Sequence, residues 1–494
     1  MDLLFKLPDQ VTPENLETAL HQAISLELAT IPTYLSIYYS IKRTQDQDAL
    51  LQKIKGMLPE NYDEQVAQDL TLDVLVYSNQ AAALVMSVVI EEMLHLSLSS
   101  NVRQAICSPP QLMDIARGLT FPTMLDGHKP EFPINLGKLN VANMVTLLKI
   151  ESPNRFFQGT KETDKEVVTY TTIGKFYDMI IQCVQDYFPG PYDHGRPQLY
   201  QAPDPQNLAG GKHNYFYSQN SINTVYYDRQ HNPHFQSADD SGGLMEVRDA
   251  ASAVAAMNEI IEQGEGHGGV NTDKLEFGQD GLPKPLPIED GKVVFKPGDF
   301  DDPAKEELSH FGKFMEVYTL GRNFEDKFRN HGIDFWSLFV HNQADNAKVA
   351  DYPAGSELYY IAQLGNALYT YIILMVETCY YKKESTQFEV FMYGVHKSMI
   401  WLLSQFGRDA SGHTYTKDGK TYQGAVTFEY YPFENNAAVR PKDQIYQLCG
   451  SLIALDPGYS WLLKDTQYVP SLPDVGLDHS IVGNPAGPVD AYVI

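Results

Sequence analysis

Apolar residues recur every three to four positions along several long stretches of this chain, a spacing that predicts helices rather than strands. In 16–41 the face through Leu20, Ile24, Ile31, Tyr34 and Tyr38 is apolar, and 79–102 is apolar nearly throughout. The stretch 246–266 sets Ala251, Ala255 and Asn258 on one face, and a fourth run places Phe311, Phe314 and Tyr318 together. The polar segment 43–78 predicts a connection with a short helix. Between the second and third long helices lies a crossover at about 103–245, some 140 residues, far beyond an ordinary helix–helix connection. It mixes Pro-, Gly- and Asn-rich loops with helical patterns at about 141–151 and 172–188. From about 331 the helical pattern resumes at 355–382, 386–407 and 441–455. The expectation is an all-α protein: a four-helix bundle within 1–330 that carries the insert, and a helical region 331–494 packed on it.

Local signals refine the first helix. Thr12-Pro13-Glu14 offers a cap hydroxyl, a proline for the first helical position and an acid for the first turn. Pro32 lies inside the same helix, so it should free the Leu28 carbonyl and kink the helix just after Glu27.

Polar residues then break these apolar faces in a recurring way. Glu27 sits at the centre of the first face, and Glu92-x-x-His95 interrupts the second. Glu262 and Glu265 end the third, and Glu307-x-x-His310 opens the fourth. Positions i and i+3 share one side of a helix, so each Glu-x-x-His pair aims a carboxylate and an imidazole inward together. Such groups are costly in an apolar interior unless something satisfies them, and a metal does so. Of the 14 histidines, two have Glu three residues before them. The order Glu, Glu-x-x-His, Glu, Glu-x-x-His is the ligand pattern of ferritin-like di-iron or di-manganese carboxylate bundles. Other histidines read differently: His231 and His234 as solvated loop residues, and His396 as a core residue.

Composition narrows the partners. A formal charge of −26 argues against nucleic acid or an anionic membrane. The four cysteines form no C-x-x-C pair, so neither a disulfide framework nor a thiolate metal site is expected. The start Met1-Asp2-Leu3-Leu4-Phe5-Lys6 shows no signal-peptide pattern, and the apolar run 359–381 is interrupted by Gln363, Asn366 and Glu377. A cytoplasmic protein is the expectation, open to homo-oligomer formation.

Several runs resemble the ferritin-like domain of the iminophenyl-pyruvate dimer synthase family. They are Leu26-Glu27-Leu28-Ala29-Thr30-Ile31-Pro32, Glu91-Glu92-Met93-Leu94-His95, Ile173-Gly174-Lys175-Phe176-Tyr177, Glu262-Gln263-Gly264-Glu265-Gly266 and Ser309-His310-Phe311. The resemblance covers most of the chain. It implies a di-metal site and amino-acid-derived imine chemistry in biosynthesis. The paired acids Glu262 and Glu265 are also similar to the extra acid of rubrerythrin-type sites.

The donor set itself predicts two iron or manganese ions, for which hard oxygen ligands and imidazoles are suited. Glu92 and Glu307 are placed to bridge, Glu27 and Glu262 to bind terminally, and His95 and His310 to serve one ion each. Glu265 is a candidate additional ligand. Tyr34, Tyr38, Phe311 and Phe314 would line a pocket. The function this predicts is an oxidase or oxygenase using dioxygen or peroxide on a small organic substrate. The competing readings are a ferroxidase, a rubrerythrin-like peroxide-handling protein, and a non-catalytic metal-binding protein.

Overall fold

The computed structural model describes residues 10–43, 45–125, 128, 131–152, 172–193, 195–200, 243–265, 276–279, 282–294, 308–381, 390–391, 398–436, 438–464 and 468–482. Glu307, His231, His234 and His396 lie outside them.

A 43-residue helix, α3 (Glu64–Ile106), is the axis of the structure, preceded by α1 (Leu16–Tyr39) and the short α2 (Gln47–Lys55). It begins well before the 79–102 core, because Asp63 accepts the Gln65 N–H and opens the helix within the polar segment. Its most apolar window is long enough to cross a membrane, yet that window is wholly buried inside the protein. The first helix starts later than the Thr12-Pro13-Glu14 signal suggests. Those residues form a turn, in which Asn15 Oδ1 accepts the Thr12 N–H at 2.8 Å, and α1 runs from Leu16 through Pro32. Pro32 has no N–H to donate to Leu28, but packing on both sides keeps the helix continuous.

The crossover carries α4 (Leu112–Gly118), α5 (Val141–Ile150) and α6 (Ile173–Tyr187). Asn140 and Thr172 cap the last two by accepting the N–H groups of Asn143 and Lys175. Then come α7 (Ala250–Glu265) and α8 (His310–Arg329); Ser309 Oγ caps α8 on the Gly312 N–H, and Lys327 and Arg329 occupy its last turn.

Around α3 stand α1, α7 and α8, with α5 against α8 and α6 against α7 and α1. The α3–α8 contact is close at Gly321, where a β-carbon would meet Tyr77 Oη at 2.5 Å. Tyr77 uses the space to donate to the Val317 carbonyl at 3.0 Å. Tyr34 and Phe314 meet edge-on at 5.1 Å, both fully buried. Such a pair adds roughly 0.5–1.5 kcal/mol beyond the area it buries.

Beyond the bundle, α9 (Glu357–Tyr381) packs on α4 and carries α10 (Leu403–Ser411) and α11 (Pro441–Leu455). Its end is bonded directly to α3: Tyr380 donates to the Ser97 carbonyl at 3.0 Å, and Gln104 donates to the Tyr380 carbonyl at 2.8 Å. One continuous apolar core runs through both regions. The strands among the described residues are short hairpins, the clearest pairing Thr414–Lys417 with Lys420–Gln423.

Candidate metal centre

Glu92 is the centre of a buried polar cluster inside the bundle. Its Oε1 lies 2.9 Å from His310 Nδ1 and 3.8 Å from His95 Nδ1, so one oxygen faces both imidazoles. Its Oε2 accepts Thr30 Oγ1 at 2.6 Å. One ligand atom from each of Glu92, His95 and His310 falls within 4.8 Å of the others. Two more carboxylates flank this group. Glu27 Oε2 is 3.7 Å from His95 Nδ1, and Glu151 Oε2 is 3.6 Å from His310 Nδ1. The outer oxygens of both accept phenols: Tyr177 donates to Glu27 at 2.5 Å, and Tyr34 donates to Glu151. The same arrangement of tyrosine, glutamate and histidine therefore occurs twice, once on each side of Glu92.

Each histidine has a side-chain oxygen beside its remaining nitrogen. His95 Nε2 lies 3.0 Å from Gln263 Oε1, and His310 Nε2 lies 2.9 Å from Glu91 Oε2. With the ring proton on Nε2, Nδ1 keeps its lone pair toward the carboxylates, the orientation a metal-binding histidine needs. The rings stack at 5.1 Å between centroids. Glu27, Glu92, His95, Glu151 and His310 are at most 4% exposed.

Without a cation, the cluster is electrostatically loaded. Burial, together with the neighbouring Glu151 and Glu27, pushes the Glu92 carboxyl up to about 7, against the pull of His310. Burial alone would lower His310, but hydrogen bonds to Glu151, Glu91 and Glu92 outweigh it and carry it well above the ordinary histidine value. His95 is raised in the same way by Glu27 and Glu92, against burial. Burial and the adjacent Glu151 hold the Tyr34 phenol well above its usual range, so it stays a donor. A polar interior that stores protons this way is one whose charge a divalent cation would compensate.

The structure brings together Glu27, Glu92, His95 and His310 and leaves Glu262 out. The buried face of α7 runs through Ala253, Ala256, Met257, Ile260 and Gly264, and Glu262, two residues from Ile260, is exposed on the other side. This placement sets Glu262, expected as a terminal ligand, apart from the cluster. Glu265 is buried, but its Oε1 accepts the Gly174 N–H at 2.6 Å, so it joins α7 to the start of α6 instead of facing the histidines. Burial pushes its carboxyl up to about 8. Of the pocket candidates, Tyr34 touches the cluster, Phe311 and Phe314 are buried core, and Tyr38 takes Arg43 over its ring at 4.2 Å.

Glu151 was the ligand candidate sequence reasoning missed. It follows Met144, Leu147 and Leu148 at spacings of seven, four and three, so it continues the apolar stripe of α5 into a carboxylate. The same signal had marked Glu27. Tyr177, Gln263, Glu91 and Lys313 carry no comparable sequence mark.

Comparison with known proteins adds the following. A family profile described as Ferritin-like matches residues 20–319, a span that contains every residue of the cluster. A ferritin like protein from Caulobacter vibrioides, known from its crystal structure, is 18% identical. The match covers 86% of this chain and 100% of that chain, with a TM-score of 0.38. No curated protein matches the chain.

Proposed function

The chain belongs to the Ferritin-like family, and we propose that it is a di-iron or di-manganese oxidase or oxygenase acting on a small organic molecule. The observation that carries this reading is the doubled arrangement around Glu92, with both Nδ1 atoms turned toward one carboxylate oxygen. Glu27 and His95 would hold one ion, Glu151 and His310 the other, and Glu92 would serve both. Glu307 is proposed as a second shared ligand. Oxygen and imidazole donors suit iron or manganese. The chemistry such a pair supplies when bound is two-electron reduction of dioxygen or peroxide, which no side chain of this set can perform.

The protein's own part is to hold the ligands and keep water out. Tyr177 and Tyr34 donate to the outer oxygens of Glu27 and Glu151, which fixes the rotation of each carboxylate and leaves the inner oxygen facing the histidine. Thr30 does the same for Glu92. Phe311, Phe314 and Met93 are buried core residues on the ligand-bearing helices. The long crossover and the C-terminal helices support a dedicated organic substrate over simple iron storage, since a plain bundle needs neither. The resemblance to imine-handling enzymes makes amino-acid-derived imines the first substrates to try.

The test is anaerobic reconstitution of metal-free protein with ferrous iron, elemental analysis, and oxygen uptake with and without amine and imine substrates. About two ions per chain, lost in Glu92→Ala, with substrate-dependent uptake, is the expected result. Failure of the folded parent to retain iron or manganese would sink the proposal. Uptake that only oxidises free ferrous iron would make the protein a ferroxidase.

A further inference from the structure

The two metal-facing histidines are backed by residues of different charge. His95 Nε2 meets the side-chain oxygen of Gln263 at 3.0 Å. The orientation of that amide is fixed from its other end, because Gln263 Nε2 donates to Glu259 Oε1 at 3.0 Å and so leaves the oxygen for His95. His310 Nε2 meets a carboxylate instead, Glu91 Oε2 at 2.9 Å. Lys313 Nζ donates to both Glu91 oxygens, at 2.8 and 2.7 Å, and Glu91, His310 and Lys313 are all buried. The rest of the two described halves is matched: one glutamate oriented by one tyrosine, and a share in Glu92.

Resting on the metal reading above, we propose that the two halves bind metal unequally, the His310–Glu151 half more tightly than the His95–Glu27 half. A full negative charge 2.9 Å from an imidazole nitrogen acts on it more strongly than the partial charge of an amide oxygen at 3.0 Å. Glu91 therefore draws the Nε2 proton of His310 more strongly than the Gln263 amide draws that of His95. Electron density moves to Nδ1, and His310 becomes the stronger donor. Lys313 makes this arrangement tenable. A carboxylate so deep in the core would otherwise be an uncompensated charge, and Lys313 supplies the countercharge. The device uses the same helices as the ligands: Glu91 adjoins Glu92 on α3, and Lys313 follows His310 by three residues on α8. Glu91 and Lys313 are positioning residues, acting on the ion through His310.

Stepwise titration of the metal-free full chain with Co(II), read by ligand-field absorption and equilibrium dialysis, tests this without reference to turnover. Two variants are informative. The double variant Glu91→Gln with Lys313→Met removes both buried charges together at nearly constant volume. Gln263→Glu places a charged acceptor behind His95 at a partly exposed position. The double variant should weaken the tighter dissociation constant by roughly 10- to 100-fold and leave the weaker one within about threefold. Gln263→Glu should tighten the weaker constant by roughly threefold or more and leave the tighter one in place. Equal movement of both constants in either variant, or an unchanged tighter constant in the double variant, overturns the inequality. Should the double variant fail to fold by circular dichroism, Gln263→Glu decides alone. A folded parent that binds no Co(II) overturns the metal reading itself, and this inference with it.

Discussion

Glu151→Gln and Glu262→Gln should have sharply different effects on metal retention. Glu151 is 3% exposed, its Oε2 lies 3.6 Å from His310 Nδ1, and its Oε1 holds the Tyr34 hydroxyl. Glutamine keeps the volume and can still accept from Tyr34, so the change removes a charge and a ligand oxygen with little repacking. A structural metal bound through four ligands is worth about 10–16 kcal/mol, or roughly 3 kcal/mol per ligand. At 1.4 kcal/mol per factor of ten, losing one ligand costs about a hundredfold in affinity. Glu262 is exposed on the far side of α7, where substitutions usually stay within about 0.5 kcal/mol, or roughly twofold. The assay is metal content by elemental analysis after dialysis against a fixed chelator concentration, with circular dichroism as the folding control. Glu151→Gln should retain about one ion fewer than the parent, and Glu262→Gln should match the parent. Equal losses, or a loss confined to Glu262→Gln, would refute the assignment of the third carboxylate.

Two other outcomes follow from the geometry. Metal affinity should fall as pH drops through about 7, because the Glu92 carboxyl, pushed up to about 7, and the raised His310 hold protons that an incoming cation must displace. Calorimetric binding heats in two buffers of different ionisation enthalpy report that proton release, and affinity independent of pH between about 6 and 8 contradicts it. Separately, Gly174→Ala should destabilise the metal-free protein by about 1–3 kcal/mol, since the new β-carbon would lie 2.4 Å from Glu265 Oε2. Urea midpoints measure the loss. Adding Glu265→Ala in the same chain should recover part of it, and a neutral single variant would show that Glu265 is not locked against α6.

The bundle was legible in the sequence because its long helices bury broad apolar faces, and Glu27, Glu92 and His95 interrupt those faces with ionisable groups. Helix α7 was harder. Alanine at Ala251, Ala253, Ala255 and Ala256 leaves several faces almost equally apolar, so periodicity did not separate the buried Ala253–Ile260 side from the side that carries Glu262. Glu151 is harder to see for a different reason: it caps the C-terminal end of a short helix inside the crossover, where no histidine three residues away draws attention to it. The residues behind the histidines were invisible because their roles depend on tertiary neighbours, as with Gln263 against His95 across 168 positions. Register within an alanine-rich helix and contacts between distant segments are set by packing, which a one-dimensional pattern records only weakly.

The residues proposed as ligands enter the chain at positions 27, 92, 95, 151 and 310. No contiguous fragment shorter than this span contains the site, so a ribosome must have released most of the bundle before an ion can be captured. Occupancy would then report closure of the whole bundle, and unfolding anywhere along α1, α3, α5 or α8 would release the ion. At a free ion concentration 100 times the dissociation constant, this linkage adds about 2.7 kcal/mol to the folded state. The metal would thus act as a late fastener, setting the lifetime of the folded chain according to how much of the ion its surroundings provide.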